Sequence, residues 1–419
     1  MQWLALAARS AWNRRLTLGL TLAAVALSVT LLLGIERVRR DARASFANSI
    51  SGTDLVVGAR TGPVQLVLYV VFRIGAATNN IRWDAFRAIA DDPAVAWSIP
   101  LSLGDSHRGF PVLGTTPAYF EHFRYGDRRA LEFSAGAPFH GLFDAVLGAE
   151  VADRLGYRRG DRIILSHGIG GAGLPEHADK PFTVVGILAP TGTPVDRTVH
   201  VSLEAITAIH LDWQGGAPVP GFSIPPQYVR KFDLSPKEIT AALVGLKSRA
   251  AVFRMQRRID DYAGEPLLAV LPGVALDQLW EVVGTVERTL LAVSAMVVAV
   301  GLAGLVAVIL AGLNERRREL AILRSVGARP GDIFLLLTVD GLIVTVLGCA
   351  VGVLMLAALT AAVRPFAQSH YGLGIHLQLL SLPELRLLGA VVLVGLVASL
   401  VPGYRAYRLS LADGLTPRL

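Results

Sequence analysis

Two stretches of this chain combine residue types and spacings that can do chemistry. The first is His167-Gly-Ile-Gly-Gly-Ala-Gly-Leu-Pro-Glu176-His177-Ala-Asp179, where two imidazoles flank a glycine-rich tip. Imidazole and carboxylate both ligate zinc. If the segments on either side pair as a hairpin, His167 and His177 meet, with Glu176 or Asp179 beside them. The spacing matches no established zinc motif, and a solvated glycine-rich loop is the simpler account. No metal is assigned, and His167 and His177 stand only as candidates. All nine histidines (His107, His122, His140, His167, His177, His200, His210, His370 and His376) lie outside the long apolar runs, but such runs exclude histidine in any case.

The second stretch is Glu315-Arg316-Arg317-Arg318-Glu319-Leu320-Ala321-Ile322-Leu323-Arg324-Ser325-Val326-Gly327, followed by Ala-Arg-Pro-Gly-Asp332. Leu320, Leu323 and Gly327 recur at helical spacing, and Glu315 can pair with Arg318 one turn on. Gly327 is a natural helix stop, and Pro330-Gly331 prevents the helix running on. The chemistry here is recognition by a short cationic helix with an apolar edge. Arg316, Arg317, Arg318 and Arg324 are expected to dock it electrostatically. Leu320, Ile322 and Leu323 are expected to anchor it, and Gly327 to end it. A loop that only fixed membrane topology would need the arginines but not the patterned aliphatic residues.

Other chemistries lack their residues. No G-x-x-x-x-G-K-[ST] occurs, so nothing cradles phosphates in the P-loop manner. No G-x-S-x-G elbow, H-E-x-x-H or Cys/His nucleophile pair is present. No catalytic residue or cofactor is therefore expected on this chain.

The elements that must position these stretches are set by apolar runs. The chain has 419 residues, 53% hydrophobic and 17% charged, with mean hydropathy +0.50, too apolar for an ordinary soluble protein. Four runs are read as transmembrane helices, at 16–35, 289–313, 333–363 and 387–404. Arg9, Arg14 and Arg15 precede the first, which has no cleavage signal after it and reads as a retained span. Arginines crowd 1–15, 314–332 and 405–419, whereas 364–386 carries only Arg364 and Arg386. The positive-inside rule puts the first three segments in the cytoplasm, and leaves 364–386 and the long segment 36–288 outside. The fold class is thus a membrane protein of four transmembrane α-helices, one plus three, with a large α+β domain between the first and second spans.

Net charge +7 can indicate nucleic acid, but the only lysines are Lys180, Lys231, Lys237 and Lys247, and the arginines are scattered or sit beside apolar runs. No nucleic-acid partner is expected. Cys349, the single cysteine, lies in an apolar run and supports no redox chemistry. Asp340, just inside the third span, is expected to be interfacial and paired with the basic loop. Gly348-x-x-x-Gly352 permits close helix contact, within the chain or between two chains.

In the outer segment, 36–50 continues the first span as a polar stalk, and Leu276, Leu279, Trp280, Val283 and Val286 form a stripe on its partner stalk. Trp83, Phe86 and Ile89 mark a helix ended by Asp92-Pro93. Strands are predicted near 163–165, 182–188 and 266–271. Val146-Leu-Gly148 and Val151 to Gly156 read as strand, turn, helix and glycine cap. The stretch 215–226, rich in Gly and Pro, is predicted to be a loop or hinge between two subdomains. The apolar stretch 63–75 is too short to span and fits core or a partner- or substrate-facing groove equally.

Glu315-Arg-Arg-Arg-Glu319, Ile322-Leu323-Arg324 and Gly327-Ala328 resemble the coupling-helix motif of the FtsX-like/MacB-like family of ABC transporter permeases. Leu147-Gly148, Ala152, Leu155-Gly156, Gly160-Asp161 and Phe182 to Leu188 are similar to that family's periplasmic core domain. The resemblance covers nearly the whole chain. It implies a multi-pass subunit of the bacterial inner membrane, in contact with membrane lipid, whose 315–328 loop docks on an ABC ATPase that binds ATP and Mg. It further implies a second permease subunit, identical or not, and an adaptor or binding protein outside. MacB exporters carry their ATPase on the same polypeptide, and no ATPase sequence is present here. The layout is closer to lipoprotein-releasing permeases, which borrow a separate one. Cargo implied is a lipoprotein, peptide or small molecule. Two alternatives stand beside it: a mechanotransmitting regulator of a cell-wall hydrolase, as in members resembling the cell-division permease, and, from the histidine distribution alone, a periplasmic metal-handling permease.

Overall fold

The computed structural model describes residues 15–168, 175–214, 217–219, 221–315, 317–371 and 380–408. The expectations resting on 1–14, 169–174, 215–216, 220, 316, 372–379 and 409–419 lie outside these residues. The chain divides into two compact units, one formed by 1–41, 284–366 and 375–419, the other by 42–283 and 367–374.

Among the described residues, four helices are long and apolar enough to cross a membrane. They are α1 (Arg15–Asn48), α6 (Pro272–Glu315), α8 (Pro330–Tyr371) and α9 (Leu382–Tyr407). Each outruns its apolar stretch, because polar residues of good helix propensity continue the hydrogen-bond ladder at no nucleation cost. Val25, Val29, Leu32 and Leu33 of α1 pack with Leu302, Leu305, Cys349, Leu356 and Val391 in the core of the first unit. Close approach is made by the two glycines of the third span. A Cβ on Gly348 would lie 2.7 Å from Val25 Cγ1, and one on Gly352 2.8 Å from the Ala26 carbonyl oxygen. Thr30 Oγ1 also donates to the Gly352 carbonyl at 3.0 Å. The Gly-x-x-x-Gly pair therefore packs α8 on α1 of the same chain.

The second unit is α+β. Eleven strands among the described residues form one mixed sheet: β1 (Leu55–Ala59), β2 (Val95–His107), β3 (Phe110–Thr115), β4 (Phe133–Gly136), β5 (Asp144–Leu147), β6 (Arg162–Ile163), β7 (Ser166–His167), β8 (Phe182–Leu188), β9 (Val199–Ser202), β10 (Ala241–Leu246) and β11 (Leu267–Val270). The order is β11-β1-β10-β2-β3-β9-β5-β8-β4, with β7 on β2 and β6 on β8. β2 is the shared strand. Its first half pairs with β10, its second with β3, and the register shifts between Leu103 and Ser106. Such a shift bends a strand and lets it serve two packing surfaces. One apolar core gathers round β1 and β10, another round β5, β8 and β9.

The sequence signals for these strands differ in kind. In β8 burial alternates along the strand, the period-2 pattern of a strand with one face in the core. β1 is buried throughout, which leaves an apolar run with no alternation to read. The Leu147-Gly148 motif is a strand end feeding α4 (Ala149–Leu155), whose C-cap Gly156 is left-handed at φ 69°. Trp83, Phe86 and Ile89 belong to α3 (Trp83–Ala90), with Phe86 and Ile89 buried.

Of the two readings open for 63–75, core is the one found and not the groove: α2 (Pro63–Val71) buries Leu66, Val67, Tyr69, Val70 and Val71 in the core, beneath Gly58 of β1, where a Cβ would stand 2.5 Å from Leu66 Cδ1. Nor is 215–226 a hinge between subdomains. Trp213-Gln214 pairs with Ala217-Pro218, Val219 N donates to Asp212 O at 2.9 Å, and Ile224 packs on Ala208 and Val229. The subdomains share β2 instead, because a continuous strand joins two cores without a linker.

Candidate functional site

The basic stretch after α6 folds as α7 (Arg317–Ser325). Gly327, at φ 106°, ends it, with Gly327 N donating to Arg324 O at 3.1 Å and Ala328 N to Leu323 O at 3.0 Å. These bonds occupy carbonyls that a helix end otherwise leaves open. Asp332 Oδ2 then accepts from Arg329 N at 2.8 Å and opens α8. Arg316 lies outside the described residues, as do the side chains of Glu315, Arg317, Arg318 and Glu319.

The apolar residues of α7 divide. Leu320 is 7% exposed and packs with Leu313, Ile333, Leu337 and Ala406, with Leu323 half-buried against them. Leu320 is thus packed within the chain, while Leu323 keeps part of its surface open. Ile322 and Val326 are 61% and 79% exposed. Val326, which sequence reasoning passed over, is thus an exposed apolar residue in the turn just past the helix. Asp340 lies within α8, half-buried.

The two described sides of the histidine stretch are also brought together. β7 pairs antiparallel with β2, placing His167 directly opposite Asp105 and Ser166 opposite Ser106. The returning strand is tied by His167 N to Pro175 O at 2.9 Å and His177 N to Leu165 O at 2.8 Å. His177 thereby reaches His167, their ring centroids 6.3 Å apart. The carboxylate that joins them is Asp105, not Glu176 or Asp179. Asp179 instead accepts from Lys180 Nζ at 2.6 Å, and Glu176 is exposed. A further imidazole arrives from His210, at the C-terminus of α5 (Leu203–Ile209). The ligand-type atoms of Asp105, His167, His177 and His210 all lie within 4.8 Å of one another.

The contacts inside this group are specific. His167 Nδ1 lies 3.2 Å from Asp105 Oδ1 and 2.9 Å from His210 Nε2. His210 Nδ1 lies 2.8 Å from the Ile206 carbonyl oxygen. A carbonyl only accepts, so Nδ1 carries the proton and Nε2 turns a lone pair to the cluster. His177 is wholly buried, and among the described residues neither of its ring nitrogens has a hydrogen-bond partner. Burial, then the neighbouring His210, pushes its pKa down to about 4. The hydrogen bond to Asp105 holds His167 above its ordinary value. Trp213 covers the group, 4.1 Å from the His177 ring centroid.

Behind the group a buried ion pair fixes both loops. Lys180 Nζ, with no exposed surface, donates to Asp212 at 2.9 and 2.8 Å, while Ile224 N donates to Asp212 Oδ2 at 2.9 Å. Burial disfavours the charged Asp212, but Lys180 and the Ile224 amide outweigh it and hold the carboxyl below its usual range. Lys180 adjoins the loop of His177, and Asp212 adjoins Trp213. His107, close by, has its pKa lowered by burial and is occupied by the Ile164 carbonyl and the Tyr157 hydroxyl.

Comparison with known proteins bears on both regions. The profile of the MacB-like periplasmic core domain matches residues 18–262, and that of the FtsX-like permease C-terminal domain matches 291–411. The chain is 24% identical over 404 residues to the macrolide export ATP-binding/permease protein MacB of Azoarcus sp. (strain BH72), covering 93% of this chain and 55% of that protein. It thus spans about half the length of that curated relative. Among solved structures it is similar to the periplasmic region of MacB from Actinobacillus actinomycetemcomitans, with 9% identity, a TM-score of 0.35, and coverage of 55% of this chain and 94% of that one. It is also similar to the extracellular domain of the noncanonic ABC-type transporter YknZ from Gram-positive bacteria, with 11% identity, a TM-score of 0.29, and coverage of 52% and 98%.

Proposed function

The chain belongs to the permease family that combines a MacB-like periplasmic core domain with an FtsX-like permease C-terminal domain, and we propose that it is the membrane subunit of an inner-membrane ABC transporter driven by ATP hydrolysis on another polypeptide. The observation that carries this reading is α7. It is a cationic helix held between two spans by Leu320 and stopped by Gly327, with Ile322 and Val326 facing outward. A helix of this kind suits a groove on a partner, where apolar anchors supply affinity and arginines supply orientation.

In this reading ATP and Mg are bound by the partner ATPase, and two permease subunits, identical or paired with a second kind, dock on two ATPases. Closure of the ATPases shifts α7 and with it α6. α6 carries Leu276, Leu279 and Trp280 in its first turns, and Trp280 packs edge-on against Phe46 of α1 with centroids 5.5 Å apart. The stroke is thereby delivered to the α+β domain on the outer side. There it acts on a lipoprotein, peptide or small molecule, directly or through an adaptor.

The test is purification of the full-length chain from its native membrane and identification of everything retained. Retention of a P-loop ATPase supports the reading, and an accompanying adaptor or binding protein would point to cargo. An ATPase retained together with a peptidoglycan hydrolase would replace transport with control of that enzyme. A well-folded sample that retains no ATPase would remove the basis of the assignment.

A further inference from the structure

We propose that Asp105, His167, His177 and His210 form a binding site for one divalent transition metal ion of the zinc class, on the outer α+β domain. Three observations converge on it. The first is distance. Four ligand atoms round a tetrahedral zinc ion, bonded at about 2.0–2.1 Å, lie roughly 3.3 Å from one another. Here the separations are 2.9 Å for His167 to His210, 3.2 Å for His167 to Asp105 and 3.7 Å for His210 to Asp105. The ligand atom of His177 lies within 4.8 Å of these three, so side-chain movement closes the set.

The second is His177. A hydrogen-bonded row of Asp105, His167 and His210 would account for those three without any ion. It gives His177 nothing. A wholly buried imidazole with two unpartnered nitrogens is destabilising, and it is set against the other three. A metal bond satisfies one of those nitrogens.

The third is the outer shell. His210 is held by the Ile206 carbonyl in the tautomer that turns Nε2 inward, the arrangement by which metal-ligating histidines are oriented. Lys180 and Asp212 clamp the loops of His177 and Trp213 from behind.

The donor set names the class. Three imidazoles and one carboxylate suit zinc and its neighbours, whereas calcium and magnesium require mostly oxygen and thiolate-selective ions require sulfur. His167 and His210 keep 36% and 26% of their side-chain surface exposed. An ion can therefore enter from solvent without unfolding the domain. The site does not depend on the ATPase assignment, since binding is read on the permease alone.

The experiment uses the full-length protein in detergent, stripped with a chelator and equilibrated with zinc chloride. About one zinc ion per chain should be retained, and cobalt(II) in its place should give the intense visible bands of a four-coordinate ion. His177→Gln and His210→Gln should each weaken zinc binding by at least about tenfold. If either variant unfolds, His167→Gln, at a half-exposed position, should show the same loss with the fold retained. Zinc retained equally by wild type and folded variants would overturn the proposal. So would a wild-type protein that retains none, or one whose cobalt spectrum is the faint one of a six-coordinate aquo ion.

Discussion

Arg37 Nε lies 2.9 Å from Glu384 Oε1, and the two side chains are only 8% and 0% exposed. The pair joins α1 to the first turn of α9, where Ser381 and Glu384 also form a capping box, the Glu384 carboxylate accepting from Ser381 N at 2.7 Å. One carboxylate thus starts a helix and neutralises a buried guanidinium on another. Removing it strands Arg37, which is costlier than losing an exposed pair. Glu384→Ala should destabilise the membrane unit by about 3–5 kcal/mol. Thermal unfolding in detergent would register this as a lowered midpoint. Glu384→Gln, which keeps the hydrogen-bonding shape, should lose less.

The two faces of α7 should separate in mutagenesis. Ile322→Asp and Val326→Asp change residues that are 61% and 79% exposed and should leave the fold intact. Each should weaken retention of the ATPase by about 2 kcal/mol, near thirtyfold. Leu320→Asp places a charge in a site that is 7% exposed, and should instead lower the yield of folded protein. Pull-down beside a thermal melt of each variant resolves the two effects. Normal ATPase retention by the Ile322 and Val326 variants would remove α7 as the docking element.

Gly352 provides a test of packing within one chain. An added methyl group meets the Ala26 carbonyl, a backbone atom that cannot swing away. Gly352→Ala should cost about 1–3 kcal/mol through overpacking. The loss should appear equally in monomeric and oligomeric fractions on size-exclusion chromatography. A change in oligomeric state alone would assign this glycine to an interface between chains.

His200 should make the outer domain sensitive to acid. It sits on β9 against Tyr119 and Phe120, and burial, then the Arg73 charge, pushes its pKa from 6.5 to about 3. The sign follows from which state binds the proton first. Below pH 6.5 the unfolded chain protonates while the folded one does not, so stability falls as pH drops towards 3. The full effect is of order a few kcal/mol. Unfolding of wild type and His200→Gln followed by tryptophan fluorescence should diverge across that window. Parallel curves would show that His200 takes no part.

The sequence by itself determined what local pattern can encode. A run of about twenty uncharged residues is a membrane helix wherever it lies, because lipid leaves the backbone no other way to satisfy its polar groups. Aliphatic residues at helical spacing and a glycine stop sufficed for α7 and its end at Gly327. For His167 and His177 the sequence offered a meeting only as one possibility beside a solvated loop, and the pairing across the sheet decided it. Tertiary structure decided which residues those elements meet. Asp105 joins the histidines across 62 residues and His210 across 43, through the pairing of β7 with β2 and the place where α5 ends. Only packing showed that Leu320 turns inward while Ile322 and Val326 turn out, or that Gly352 meets α1. Strand register and packing arise from contacts between distant segments, and no window of neighbouring residues contains them.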